Sequence, residues 1–306
     1  MGRGLRRLSV ALVAGALVLV AAVVFFVRDP GPGPPLRAPA GEYVRSVPGD
    51  RAVLWAVGDG ADGSDRAKAV AARIAAGRVD RFLYLGDVYG SAGIAGVLTA
   101  DGSAEDFRER YHPVYGALAE RTAPTPGNHE WARREEGYEP YWTRVHGPPP
   151  TYYAFTAGGW RILSLNSEAP RGAGSAQLAW LRDQLRAPGT CRLAFLHRPR
   201  FSAGRHGDHA ELQPLWEALE GRVAIAVAGH DHNMQRLRPI GGVTPLVSGA
   251  GGHGLYEAEP DPRVAFSDDD TFGALRIDLR PGRADLAFVA SDGRVLDRHR
   301  VGCRRG

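Results

Sequence analysis

From Arg51 onward, short apolar runs alternate with stretches of helical periodicity. Arg51-Ala-Val-Leu-Trp-Ala-Val-Gly58 is almost uniformly apolar and stops at glycine, as a buried strand does. Ala67, Val70, Ala71 and Ile74 then recur at helical spacing, predicting a helix over Ser64–Ala76 with Gly77 as its stop. Arg81–Leu85 predicts a second buried strand ending at Gly86. Ala104–Glu120 is helical in composition but is interrupted by Pro113. Thr122–Pro126 reads as extended, and Tyr152–Phe155 and Trp160–Asn166 as a strand pair joined through Gly158-Gly159. Ser175 caps a helix whose Leu178, Leu181 and Leu185 share one face. A strand (Arg192–Leu196), a helix (about Ala210–Leu219) and a strand (Val223–Ala228) follow. From Gln235 the pattern is of short strands: Val243–Val247, Phe272–Leu279, Ala284–Ala290 and Val295–Val301. Strand–helix alternation followed by β-rich sequence predicts one mixed α/β domain, residues 51–301, with two packed sheets.

Ahead of it, Leu8–Val27 is twenty residues without a charge, preceded by three arginines. At 1.5 Å per residue the run spans about 30 Å, the thickness of a bilayer's hydrocarbon core. Its end, Val23-Val24-Phe25-Phe26-Val27, lacks the small residues of a signal-peptide cleavage site. Residues 1–28 therefore read as a single-pass transmembrane anchor with the rest of the chain outside the cytoplasm; a cleaved signal, giving a secreted protein, is the alternative. Pro30, Pro32, Pro34, Pro35 and Pro39 among glycines make residues 29–50 a semi-extended linker.

The formal charge of +4 changes little. Arg3, Arg6, Arg7 and Arg28 all precede the linker, and without them 34 bases face 34 acids. No basic surface for nucleic acid is implied. Cys191 and Cys303 either pair, as an exported domain allows, or stay as two buried thiols.

The chemistry-bearing residues sit just past predicted strand ends. They are Asp59; Asp87; Gly127-Asn128-His129-Glu130; His197; and Gly229-His230-Asp231-His232. Each alone has a dull explanation in turn chemistry. Five in succession, each beyond its own strand, point to one site at a sheet edge. Carboxylate, amide oxygen and imidazole together suit Mn, Fe or Zn rather than an all-oxygen calcium cage.

These motifs resemble those of the calcineurin-like metallophosphoesterases, closest to the purple-acid-phosphatase branch. Gly58-Asp59, Gly86-Asp87-Val88-Tyr89, Gly127-Asn128-His129-Glu130, His197, Gly229-His230-Asp231-His232-Asn233 and Val247-Ser248-Gly249-Ala250-Gly251-Gly252 carry the likeness, which covers about residues 51–301. It implies a four-layer α-β-β-α sandwich of two mixed β-sheets flanked by helices. It further implies two divalent or trivalent transition metals sharing Asp87, one also held by Asp59 and His232, the other by Asn128, His197 and His230. His129 then faces the leaving group of a phosphorylated small molecule. Two positions depart from the pattern. Ala61 stands where many members have histidine, and Gly90 where the purple phosphatases have a tyrosine ligand. Tyr89, one residue earlier, either reaches the metal as a seventh ligand or packs in the turn while water fills the gap.

On the substrate side, Arg198, Arg200, Arg205, His206 and His209 crowd the loop after His197, and His206 and His209 are the candidate substrate contacts. His253 follows the glycine-rich loop. Tyr138, Tyr141, Trp142, Tyr152 and Tyr153 fit either a pocket wall or the core. The expected activity is hydrolysis of phosphate monoesters by a hydroxide activated between two metals. A phosphodiesterase acting on nucleotides or envelope phosphodiesters is the alternative. A non-catalytic surface module is the third reading, disfavoured because every ligand position is retained.

Overall fold

The computed structural model describes residues 36–39, 41–90 and 101–303. The expected anchor over residues 1–28 lies outside them, as do residues 29–35 and 40 of the linker. Among the described residues no helix is long and apolar enough to cross a membrane.

Two sheets face each other. One has the order β13-β12-β11-β1-β2-β3 and the other β10-β8-β9-β7-β6-β5-β4. The first contains β1 (Ala52–Val57), β2 (Arg81–Tyr84), β3 (Thr122–Pro124), β11 (Gly273–Arg280), β12 (Arg283–Ala290) and β13 (Val295–Gly302). The second contains β4 (Tyr153–Ala157), β5 (Trp160–Ser164), β6 (Cys191–Phe195), β7 (Ile225–Ala228), β8 (Met234–Leu237), β9 (Thr244–Ser248) and β10 (Val264–Asp268). β1, β2 and β3 run parallel, as do β5, β6, β7 and β9; antiparallel strands complete both sheets.

The two-residue alternation of strand side chains explains why the runs are apolar throughout. Leu54 and Ala56 of β1 face the core between the sheets, whereas Val53, Trp55 and Val57 face outward under helices. On the other sheet, Leu193 and Phe195 of β6 point inward and Ala194 outward. Full burial of each such aliphatic or aromatic side chain contributes about 1.5–3 kcal/mol. Helix Asp65–Ala75, capped by Ser64, buries Ala67, Val70, Ala71 and Ile74 on the first sheet. Helices Ala176–Gln184 and Gln213–Leu219 cover the second. The order of layers is therefore α-β-β-α.

Several details differ from the pattern-based expectation. Pro113 does not end the helical path but alters it: the turns just before it, Phe107–Tyr111, are π-helical rather than α-helical, and helical turns run from Ala104 to Arg121. Helix Tyr138–His146 and strand β10 were not foreshadowed by any periodicity. Tyr138, Trp142, Tyr152 and Tyr153 are core residues rather than pocket walls. Packing also extends beyond residues 51–301: Val44 is fully buried, Val47 bridges to Ala157, and a Cys191–Cys303 disulfide ties the end of β13 to the start of β6.

Candidate metal centre

β1, β2 and β3 of one sheet and β6 and β7 of the other end on a common edge, and each delivers a polar residue there. Asp59 follows β1, Asp87 follows β2, Asn128 follows β3, His197 follows β6 and His230 follows β7. Among the described residues, only three that are not glycine adopt a left-handed backbone: Asp59 (φ 59°), Asp87 (φ 69°) and His230 (φ 71°). Such conformations are unfavourable for these residues and persist where the surroundings over-determine them, characteristically at functional sites. Here Asp59 N–H donates to Gly86 O at 3.1 Å and His230 N–H to Asp59 Oδ2 at 2.8 Å. Glu130, fully buried, accepts from Asp87 N–H at 3.1 Å and from Val88 N–H at 3.2 Å, fixing the Asp87 turn. Gly127 and Gly229 allow the close approach, since a β-carbon at Gly229 would lie 2.6 Å from Asp59 Oδ2 and one at Gly127 would collide with Asp87 Oδ1.

Two donor groups result, meeting at Asp87. In the first, the Tyr89 hydroxyl donates toward Asp59 Oδ1 (3.3 Å) and Asp87 Oδ2 (3.4 Å) and lies 2.9 Å from His232 Nε2. His232 Nε2 is 3.6 Å from Asp59 Oδ1. In the second, His197 Nε2 lies 3.3 Å from Asp87 Oδ2, 3.1 Å from Asn128 Oδ1 and 3.1 Å from His230 Nδ1. Donors bound about 2.1 Å from one ion stand about 3.0–3.4 Å apart; the second group has this spacing, whereas in the first Asp59 and His232 stand slightly wider and Tyr89 lies between them. The imidazoles are aimed by their other nitrogens. His197 Nδ1–H donates to Leu85 O at 2.8 Å and His232 Nδ1–H to Gly254 O at 2.6 Å, directing both Nε2 atoms inward. Among the described residues, Asp87, His197 and His230 form a three-residue group with donor atoms close enough to hold one metal ion.

The protonation pattern fits a site built to hold cations. Burial pushes the Asp59 carboxyl well up, with Asp87 adding to the effect. Burial works against the charge of Asp87 too, but His197 beside it holds the carboxyl below its usual range. His197, despite burial, is pushed up to about 10 by Asp87. Burial lowers His232 to about 4 and lowers His230 further, with His197 repelling its proton. Burial, then Asp59 and Asp87, raise the Tyr89 phenol. Buried carboxyls, the neutral imidazoles of His230 and His232 and a phenol crowd at these distances around the His197 proton, and the donor set accepts transition-metal ions in its place.

Around the donors, His129 Nδ1 bonds Asp101 Oδ2, while Nε2 lies 3.7 Å from Asp87 Oδ2. His129 is one-third exposed, so it lies at the mouth of the site. His206 stacks on His230 (4.1 Å) and its Nδ1 meets Asp231 Oδ1 at 3.0 Å. His209 lies 5.0 Å from the His230 ring with Nδ1 on Glu211 Oε1 at 3.1 Å. His253 stacks on Tyr89 at 3.8 Å, and Tyr256 on His232 at 3.9 Å. Of the loop arginines, Arg198 touches the donors: Nη1 donates to His230 Nε2 at 3.0 Å and Nε to Glu168 Oε1 at 2.9 Å. Arg200 packs over Phe201, and Arg205 over Tyr256. Asp101, Asp231, Glu168 and the anchoring role of Glu130 are contributions that the motif spacing did not single out.

The sequence model of the calcineurin-like phosphoesterase family matches residues 52–234. The chain belongs to this family. It is similar to tartrate-resistant acid phosphatase type 5 of Mus musculus, 25% identical over 271 residues, 75% of this chain and 81% of that protein. The Sus scrofa enzyme is 24% identical over 269 residues, covering 75% and 78%. In fold it is similar to the purple acid phosphatase PPD1 of yellow lupin (TM-score 0.65, 16% identity, 84% of this chain and 54% of that one). It is similar also to GAP50, the anchor in the inner membrane complex of Plasmodium (TM-score 0.66, 16% identity, 83% and 89%). This calcineurin-like phosphoesterase is a hydrolase of phosphoric esters in the purple-acid-phosphatase-like branch, whose members use a dinuclear metal centre.

Proposed function

We propose that this phosphoesterase hydrolyses phosphate monoesters of small molecules at a centre of two transition-metal ions (Fe, Mn or Zn) sharing Asp87. Asp59, Tyr89 and His232 would complete one ligand set, and Asn128, His197 and His230 the other. The observation that carries this reading is the convergence of all seven side chains, with neighbouring donor atoms 2.9–3.6 Å apart. Two cations held there would lower the pKa of a shared water and offset the charge of the ester.

The chain's own residues supply the rest. Asn128 adds an oxygen without adding charge, which keeps the site attractive to an anion. In its protonated form the His129 ring gives Nδ1–H to Asp101 and presents Nε2–H beside Asp87. As the P–O bond breaks, its electron pair stays on the departing oxygen and the Nε2 proton passes to it. Asp101 balances the imidazolium before the transfer. His206, oriented by Asp231, and His209 line the approach beside His230 and can donate to the non-bridging oxygens.

The domain acts outside the cytoplasm in this reading, anchored by Leu8–Val27 through the proline-rich residues ahead of the domain, or released where that segment is cleaved. The Cys191–Cys303 bond supports an oxidising compartment. Turnover of p-nitrophenyl phosphate against bis(p-nitrophenyl) phosphate by the metal-loaded full chain tests the substrate class. At least tenfold faster monoester hydrolysis is expected. A diester preference, or no hydrolysis of either, overturns the proposal.

A further inference from the structure

At the opposite ends of β6 and β7 from the metal donors lies a second site with its own chemistry. Arg192 is five residues before His197 along β6, about 17 Å away at roughly 3.3 Å per residue. A cavity of about 700 Å³ opens there, and its lining includes Arg186, Thr190, Arg192, Arg222, Gly242 and Cys303 but neither Asp nor Glu. Arg192 forms its floor and is only 6% exposed. Its Nη1 donates to Arg222 O at 3.3 Å, and its Nη2 to Leu185 O at 3.5 Å and to Ala187 O, while buried Nε has no acceptor. Among the described residues no carboxylate pairs with Arg192 or Arg222; Arg186 pairs with surface Asp183 at 3.1 Å.

A buried guanidinium is ordinarily matched by a carboxylate, because burying an unpaired charge is costly. Here its close neighbour is instead the like charge of Arg222, which together with burial works against the Arg192 proton. The walls are held in place: the disulfide joins Cys303 to Cys191 at the edge of the cavity, and Ala224 N–H donates to Arg192 O at 3.0 Å. A concavity of this size, lined by three arginines of which only Arg186 has a carboxylate partner, suits an anion. Planar guanidinium forks match phosphate oxygens two at a time.

We propose that this cavity binds a phosphate-bearing anion, with Arg192 at its floor and Arg186 and Arg222 at its mouth. The anion is either the headgroup of an acidic lipid or a soluble phosphate. The site is separate from the metal centre, so its occupancy does not depend on the reaction proposed above.

Hydrogen exchange read by mass spectrometry tests this on the full chain in non-ionic detergent. The additions are phosphatidylglycerol mixed micelles, phosphatidylcholine mixed micelles and inorganic phosphate. Exchange over 186–192 and 220–224 is expected to slow at least twofold with phosphatidylglycerol or phosphate, and not with phosphatidylcholine. Protection by phosphatidylglycerol alone assigns the lipid headgroup, and protection by phosphate assigns the soluble source. In Arg222→Glu the protection should vanish while aryl-phosphate turnover is unchanged, and Arg222→Ala should lose part of it. Unchanged exchange with both anions, equal slowing with phosphatidylcholine, or full protection in Arg222→Glu would overturn the proposal.

Discussion

Asp59 Oδ2 accepts the backbone N–H of His230 at 2.8 Å, and both residues hold a left-handed backbone. One bond thus joins the end of β1 in the first sheet to the end of β7 in the second, across the edge where the donors gather. The same carboxylate faces Tyr89 and His232 through its other oxygen. Asp59→Ala strands a buried N–H, at a cost of about 1–3 kcal/mol. Calorimetry of the chelated protein should show a lowered Tm for Asp59→Ala and a smaller loss for Asp59→Asn, which keeps an acceptor. Equal stability of Asp59→Ala and the parent would contradict this cross-sheet role.

Asn128 contributes one oxygen to the His197–His230 group and is only half-buried, so its loss touches chemistry more than folding. Asn128→Ala should lower aryl-phosphate turnover at least a hundredfold with an unchanged circular dichroism spectrum. Full activity in this variant would remove Asn128 from the ligand set.

Asp101 holds the His129 ring through Nδ1, so in the proposed reaction its effect should scale with the need for a proton on the leaving group. General acids contribute roughly 10²–10⁴ in rate, and their positioning partners a part of that. Asp101→Asn should slow alkyl phosphates severely and p-nitrophenyl phosphate little, since nitrophenolate departs without a proton. A uniform loss across leaving groups would assign Asp101 a purely structural role.

The Asp87–His197 pair gives the metal-free protein a distinctive pH response. Asp87 pushes His197 up to about 10 against the opposing effect of burial, above the ordinary value of 6.5. A histidine raised on folding contributes stability fully present below pH 6.5 and lost as pH rises through about 10. Burial lowers His230 and His232, so their contributions are already complete above pH 6.5. Burial and Asp87 raise Glu130 to about 7, so its contribution fades by that pH. The Tm of the chelated protein should therefore fall between pH 7.5 and 10. A level or rising Tm over that range would contradict the buried ion pair.

Much of this site was legible because it is built from strand ends. Apolar runs closed by glycine mark where β1 and β2 stop, and the next residue, Asp59 or Asp87, lands on the shared edge. His197, His230 and His232 were visible for the same reason. Tyr89 was ambiguous, since its reach depends on the left-handed turn at Asp87, which spacing does not encode. Asp101 was invisible: it meets His129 from 28 residues away through a side-chain contact that leaves no periodicity. Glu130 was seen only as part of a motif, because its work is done on the backbone of another turn. The helix over Tyr138–His146 was hidden by aromatic residues that serve a wall as readily as a core. Pro113 misled because the turns before it widen to π-helical bonding, which spacing does not reveal.

The central claim is that Asp87 bridges two metal ions. Elemental analysis of the purified full chain, wild type beside Asp87→Ala, tests it most directly. About two transition-metal ions per wild-type chain are expected, with both lost in Asp87→Ala. Fewer than one ion per wild-type chain, or two retained without Asp87, would contradict it.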